Sequence, residues 1–183
     1  MTDQLFSLIP FSAQDVPPLT ISGTVDRQQN IFLIQFNVVG NLGEIFLPSA
    51  ITNPARKDEL WRTTCFELFI AVKESTKYWE FNMSPSGDWN VYVMDAYRQV
   101  NMKEETRIQR LPFQVQRETT CLSLKAEIYL NSIIEREKVV EAGITSVIQA
   151  NTKEESFWAL THPQAKADFH LRESFVFEFP SSQ

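Results

Sequence analysis

The chain has 183 residues, of which 43% are hydrophobic and 22% charged, an ordinary globular composition at the size of one domain. A net charge of −6 and a pI near 5.0 give a field that repels polyphosphate and anionic lipid, which argues against nucleic acid and membrane surfaces as partners. With 14 Phe and 4 Trp, aromatics reach 12%, an excess that suits strands.

Residues 1–10 carry no basic segment followed by an apolar stretch, so the expectation is a cytoplasmic protein without a secretory signal. No run approaches the ~18 apolar residues of a membrane span. Residues 1–17 read as an irregular lead-in ending at Val16-Pro17-Pro18. Strand patterns then follow at 19–26, 30–40, 64–73, 77–84, 88–96, 106–116, 120–129, 144–151, 156–161 and 174–179. The breaks at Asp26-Arg27-Gln28-Gln29, Glu74-Ser75-Thr76 and Pro85-Ser86-Gly87 are short enough for hairpins. One segment, 131–142, has an Asn or Ser cap, charged residues and a Gly143 stop, and is expected to form a helical turn or loop between strands. The expectation is a single all-β domain over 1–183, an antiparallel β-sandwich of jelly-roll type with one short helical crossover. Cys65 and Cys121 are too few for a disulfide scaffold and, without further soft ligands, make no zinc site.

Alternation by two separates the faces of three successive strands. One face reads Phe66, Leu68, Ile70, Val72, then Trp79, Phe81, Met83, then Trp89, Val91, Val93, and is assigned to the core. The other carries Glu67, Phe69, Tyr78, Glu80, Asn82, Asn90, Tyr92 and Met94. Rings beside amides and carboxylates are what a hydroxyl-rich ligand needs for stacking and hydrogen bonding; the plain alternative is the solvated side of an antiparallel sheet. Trp158, Leu160 and His162 share a side of a later strand. Arg62 and Arg98 flank the central strands as donors to a carboxylate of either a ligand or the protein.

The stretch from Leu60-Trp61-Arg62 through Cys65-Phe66-Glu67-Leu68-Phe69-Ile70, followed by Tyr78-Trp79-Glu80-Phe81-Asn82-Met83-Ser84-Pro85-Ser86-Gly87-Asp88-Trp89-Asn90, resembles the DOMON-like proteins related to family 9 carbohydrate-binding modules. Phe157-Trp158-Ala159-Leu160-Thr161-His162-Pro163 with Asp168-Phe169-His170 resembles the C-terminal signature of the cyanobacterial and proteobacterial members, with Ala167 where a proline usually precedes Asp-Phe-His. The resemblance implies a β-sandwich whose concave face binds a sugar in some members and haem in others. It implies Glu67, Glu80 and Asn82 as polar contacts, Trp61 or Trp158 as stacking rings, and Arg62 or Arg98 as further donors; alternation adds Tyr92 to the same ligand-binding face.

The reading is therefore a non-catalytic module with a small-molecule ligand, a sugar, and no resident cofactor. The alternatives are a haem-binding redox module and a protein-interaction domain; the sequence leaves the oligomeric state open. Haem requires Met94 with His162 or His170 as axial ligands. Glycosidase chemistry requires Glu67 and Glu80 at the separation of a retaining carboxylate pair. The chain has no nucleophile, base and orienter set and no phosphate-binding loop. Asp168 and His170 are expected to tie a late loop to the sheet through hydrogen bonds.

Overall fold

The structure is a computed structural model, described here for residues 4–14, 16–98 and 102–181. These residues form twelve strands, β1 (Gln4–Pro10), β2 (Leu19–Gln28), β3 (Ile31–Gly40), β4 (Cys65–Val72), β5 (Tyr78–Met83), β6 (Trp89–Met94), β7 (Lys103–Glu104), β8 (Phe113–Arg117), β9 (Cys121–Tyr129), β10 (Val140–Gln149), β11 (Glu155–Ala159) and β12 (Phe177–Phe179). All pair antiparallel. One sheet runs β7-β6-β5-β4-β10-β11-β1 and the other β1-β2-β3-β9-β8, so β1 is the seam. Its first half pairs with β2, while Ile9 and Pro10 cross over to β11. Phe11 N–H adds one further bond to Phe157 O, at 2.8 Å, just after the strand.

Three expectations change. The lead-in contains β1, whose polar flanks and closing Pro10 concealed the short alternation of Leu5, Phe6, Leu8 and Ile9. The 106–116 segment is irregular until Phe113, its first part held instead by Glu105, which takes hydrogen bonds from Trp79 Nε1 at 2.9 Å and Arg107 Nη2 at 2.6 Å. The segment 131–142 is no helix: turns occupy its first part, and β10 takes over at Val140. Bonds from Ile133 and Ile134 N–H to Leu130 O, 2.8 Å each, close single turns that do not propagate, and Val139 and Val140 favour the strand.

The core lies between the sheets. Phe66, Leu68, Ile70, Trp79, Phe81, Met83, Trp89 and Val91 meet Ile21, Val25, Phe32, Ile34, Phe36, Leu122, Leu124 and Ile128, as the alternation of the central strands requires. Burial of these side chains stabilises by roughly 1.5–3 kcal/mol each before entropy is subtracted. Both cysteines are free, Cys65 buried and Cys121 half-buried.

The second face of the β4–β6 strands is not solvated. Glu67, Tyr78, Glu80, Asn82, Asn90, Tyr92 and Met94 are each 4% exposed or less. A second, smaller cluster of Phe69, Ala71, Tyr78, Tyr92, Met94 and Phe175, with Trp61 and Phe169 against it, packs on that side. The segment 168–175 forms part of this cover. Gly143 of β10 makes room for it, since a Cβ there would stand 2.8 Å from the Phe175 ring. Gly87, at φ +102°, turns the β5–β6 hairpin where a side chain would be strained.

Candidate functional site

Register lays the covered face out in rows. Thr145, Glu67, Asn82 and Asn90 line up across β10, β4, β5 and β6, and the next row is Gly143, Phe69, Glu80 and Tyr92. Glu67 therefore faces Asn82 directly, and Glu80 sits diagonally from it rather than opposite. Diagonal neighbours on a sheet are ~7–8 Å apart.

Each carboxyl is held from one side. Glu67 Oε2 accepts from Thr145 Oγ1 at 2.8 Å, and Glu80 Oε1 accepts from Asn82 Nδ2 at 2.7 Å. The second oxygen of Glu80, Oε2, is buried with no hydrogen-bond partner. Burial pushes both carboxyls well above the usual range; the Glu80 charge raises Glu67 further, while the bonds from Thr145 and Asn82 oppose the shift. Cys65 Sγ lies 3.6 Å from Asn82 Oδ1, and burial together with these carboxylates keeps its thiol protonated.

Over these groups opens a cavity of about 510 Å³, walled by Trp61, Phe69, Phe157 and Phe169 and edged by Arg62, Arg98, Asp168 and His170. Trp61 comes from a single 3-10 turn, Leu60–Arg62, and meets Tyr92 edge-on with ring centres 5.6 Å apart. Glu59 before it adopts a left-handed conformation, φ +58°. His170 ties the late loop to the sheet as expected, whereas Asp168 ties it to the turn after β6. Asp168 Oδ2 accepts from Tyr97 Oη at 2.6 Å and Arg98 Nε at 3.0 Å. Burial works against its charge, but these bonds prevail and hold the carboxyl below its ordinary value. His170 Nδ1 is 2.9 Å from Tyr78 Oη. Burial, helped by Arg98, lowers the imidazole to about 4, so it is neutral near pH 7.

The residues read from the sequence separate into three groups. Glu67, Glu80, Arg62 and Arg98 line the cavity. Neither arginine pairs with Glu67 or Glu80: Arg62 binds Glu59 at 2.7 Å and Arg98 binds Asp168 at 3.0 Å. Asn82 and Tyr92 lie beneath the walls. Asn82 acts through Glu80, and the Tyr92 hydroxyl donates to Asp58 at 2.7 Å and accepts from Asn90 Nδ2 at 2.9 Å. Trp158 is elsewhere. It is buried in the main core with its indole N–H on Ser156 Oγ at 2.9 Å, and its neighbour Phe157 supplies the wall. Both 157 and 158 are aromatic, so alternation alone did not tell which side met the core. Phe169 and the wall role of Phe157 were missed, and only the Phe-Trp and Asp-Phe-His blocks signalled them.

These side chains do not fit haem. Met94 is sealed in the small cluster, the His170 ring nitrogens face Tyr78 and Glu80, and His162 lies outside the cavity, bonded to Ile9 O at 2.9 Å. Among the described residues no group of three or more His, Cys, Asp or Glu is placed to hold a metal ion.

Solved structures share this architecture. A Bacteroides uniformis protein whose carbohydrate-binding function is itself an inference superposes with a TM-score of 0.72 at 10% identity, over 94% of this chain and 84% of the other. A family 9 carbohydrate-binding module from Caldicellulosiruptor kristjanssonii, solved with cellotriose, gives a TM-score of 0.51 at 9% identity over 83% and 70%. The fold is similar to that of the family 9 carbohydrate-binding modules. The glucose complex of a Caldicellulosiruptor kristjanssonii family 9 module agrees, with 11% identity, a TM-score of 0.51 and coverage of 83% and 72%. No family model matches the sequence, and no curated protein does. In this family-9-like sandwich the two carboxyls sit on the face turned away from the core, under a cover that leaves them a cavity.

Proposed function

We propose that the chain is a non-catalytic carbohydrate-binding module whose ligand, a sugar, enters the cavity above Glu67 and Glu80. The observation that carries this reading is that Glu80, which lines a cavity with aromatic walls, keeps one buried oxygen without a partner. Buried polar atoms in native proteins are nearly always satisfied, and a ligand hydroxyl donating to Oε2 satisfies this one. Trp61, Phe157 and Phe169 offer ring faces or edges to sugar C–H groups. The fold likeness to modules solved with cellotriose and glucose points the same way.

A binding role is favoured over hydrolysis because the two carboxyls are diagonal neighbours on one sheet face, each tethered to a side-chain donor. Hydrolysis needs them on either side of a scissile bond, ≈ 5–5.5 Å apart to retain or ≈ 6.5–9.5 Å to invert configuration, and here both rise from the same sheet face. Calorimetric titration with glucose and cellotriose tests the proposal. Trp61→Ala is expected to weaken binding at least about tenfold, roughly 1.4 kcal/mol. Absence of binding, or full affinity in Trp61→Ala, overturns it.

A further inference from the structure

The cavity floor holds two buried carboxyls, and among the described residues no cation matches them. Both arginines at the rim are already neutralised, Arg62 by Glu59 and Arg98 by Asp168. Among the described residues no lysine or arginine pairs with Glu67, Glu80 or Glu155, although all three line the same cavity. His170 Nε2 stands 3.9 Å from Glu80 Oε2, beyond hydrogen-bond reach.

We infer that the sugar this cavity selects carries an ammonium group, which donates to Glu80 Oε2; the inference rests on the sugar-binding reading. Asn82 fixes the carboxyl plane by holding Oε1, so Oε2 is the oxygen left without a partner, and Glu67 on the neighbouring strand brings a second buried carboxyl beside it. A neutral hydroxyl supplies one hydrogen bond to this oxygen. An ammonium supplies three donors and a charge, and a hydrogen bond between ions is roughly twice as strong as a neutral one.

The groups facing Glu80 decide its protonation. Glu67 and Cys65 lie on β4, Tyr78 on its own strand and Tyr92 on β6, with Asp58 behind Tyr92. His170, Asp168, Arg98 and Arg62 stand around the opening. Burial raises the Glu80 carboxyl and the surrounding acids give it no relief. Without ligand it holds a proton into the neutral range. When R–NH3⁺ binds, Glu80–COOH gives its proton to the buffer, the carboxylate accepts from the ligand N–H, and no covalent bond changes.

The test is calorimetric titration of the full chain with glucosamine, glucose and N-acetylglucosamine, at several pH values and in two buffers of different ionisation heat. Glucosamine is expected to bind at least about tenfold tighter than either neutral sugar. Its affinity should climb by up to about tenfold per unit between about pH 5.5 and about pH 7 as a proton is released. Glu80→Gln should abolish both the preference and the proton release. The comparison of ligands on the unmutated chain stands even if that variant folds poorly. Equal affinities without proton release overturn the inference and leave the sugar reading intact. If 2-aminoethanol binds with proton release while no sugar does, the sugar reading falls and Glu80 remains an ammonium site. If none of these ligands binds, both are overturned.

Discussion

Glu80 is buried to 4% exposure, yet only one of its two oxygens has a partner. Its folded pKa, like that of Glu67, lies above the ordinary value of 4.5 because burial disfavours the charge. Between 4.5 and those raised values the folded chain keeps protons that the unfolded chain has released. The stabilisation is thus complete below 4.5 and is lost as pH rises through the folded pKa values. Glu80→Gln, a neutral residue of the same shape, removes the Glu80 share of this dependence and leaves that of Glu67. Thermal melts should show the variant gaining relative to the parent as pH is raised from about 5 to about 8. A difference in melting temperature that stays constant with pH would mean that Glu80 is charged in the fold at all these values.

At the scale of elements, the strands with sharp alternation were legible in the sequence. Phe66, Leu68 and Ile70, with Trp79, Phe81 and Trp89, reach the core because a period of two leaves no other arrangement once one face is apolar. The bounds of β4, β5 and β6 fell within two residues of the expected ones. What alternation could not show was that the opposite face also has a cover. Part of that cover comes from the 168–175 segment, 74 or more residues beyond the end of β6 at Met94, and its docking depends on Gly143 and Phe175 meeting across β10. The aromatic pair at 157 and 158 defeated the reading for the opposite reason, since either ring suits a core. Phe175 contacts Phe69 at 5.7 Å and Tyr78 at 5.9 Å between ring centres. Phe175→Ala should cost about 3–5 kcal/mol in chemical denaturation, in the manner of other buried Phe truncations, and weaken ligand binding by loosening the loop that carries Phe169 and His170. A cost below about 0.5 kcal/mol, typical of surface positions, would show that the segment is not packed on the sheet.

Across the whole molecule, the two sheets share a core but differ in what lies outside them. The outer face of the β1-β2-β3-β9-β8 sheet has a larger groove, about 620 Å³, lined by Thr24, Gln35, Gln114, Lys125 and Glu127. Its polar groups are open to water, and none of the buried unpaired atoms among the described residues belongs to it. The other sheet has the smaller cavity, the aromatic walls and the unpaired carboxylate oxygen. Volume favours the first groove and chemistry the second, and chemistry decides because a solvated sheet surface needs no ligand to satisfy it. The most direct measurement is chemical-shift mapping of the labelled chain during titration with glucosamine and with glucose. The account predicts shifts confined to Trp61, Phe69, Glu80, Phe157, Phe169, His170 and their neighbours. Shifts centred on Gln35, Gln114 and Lys125, or none at millimolar sugar, would contradict it.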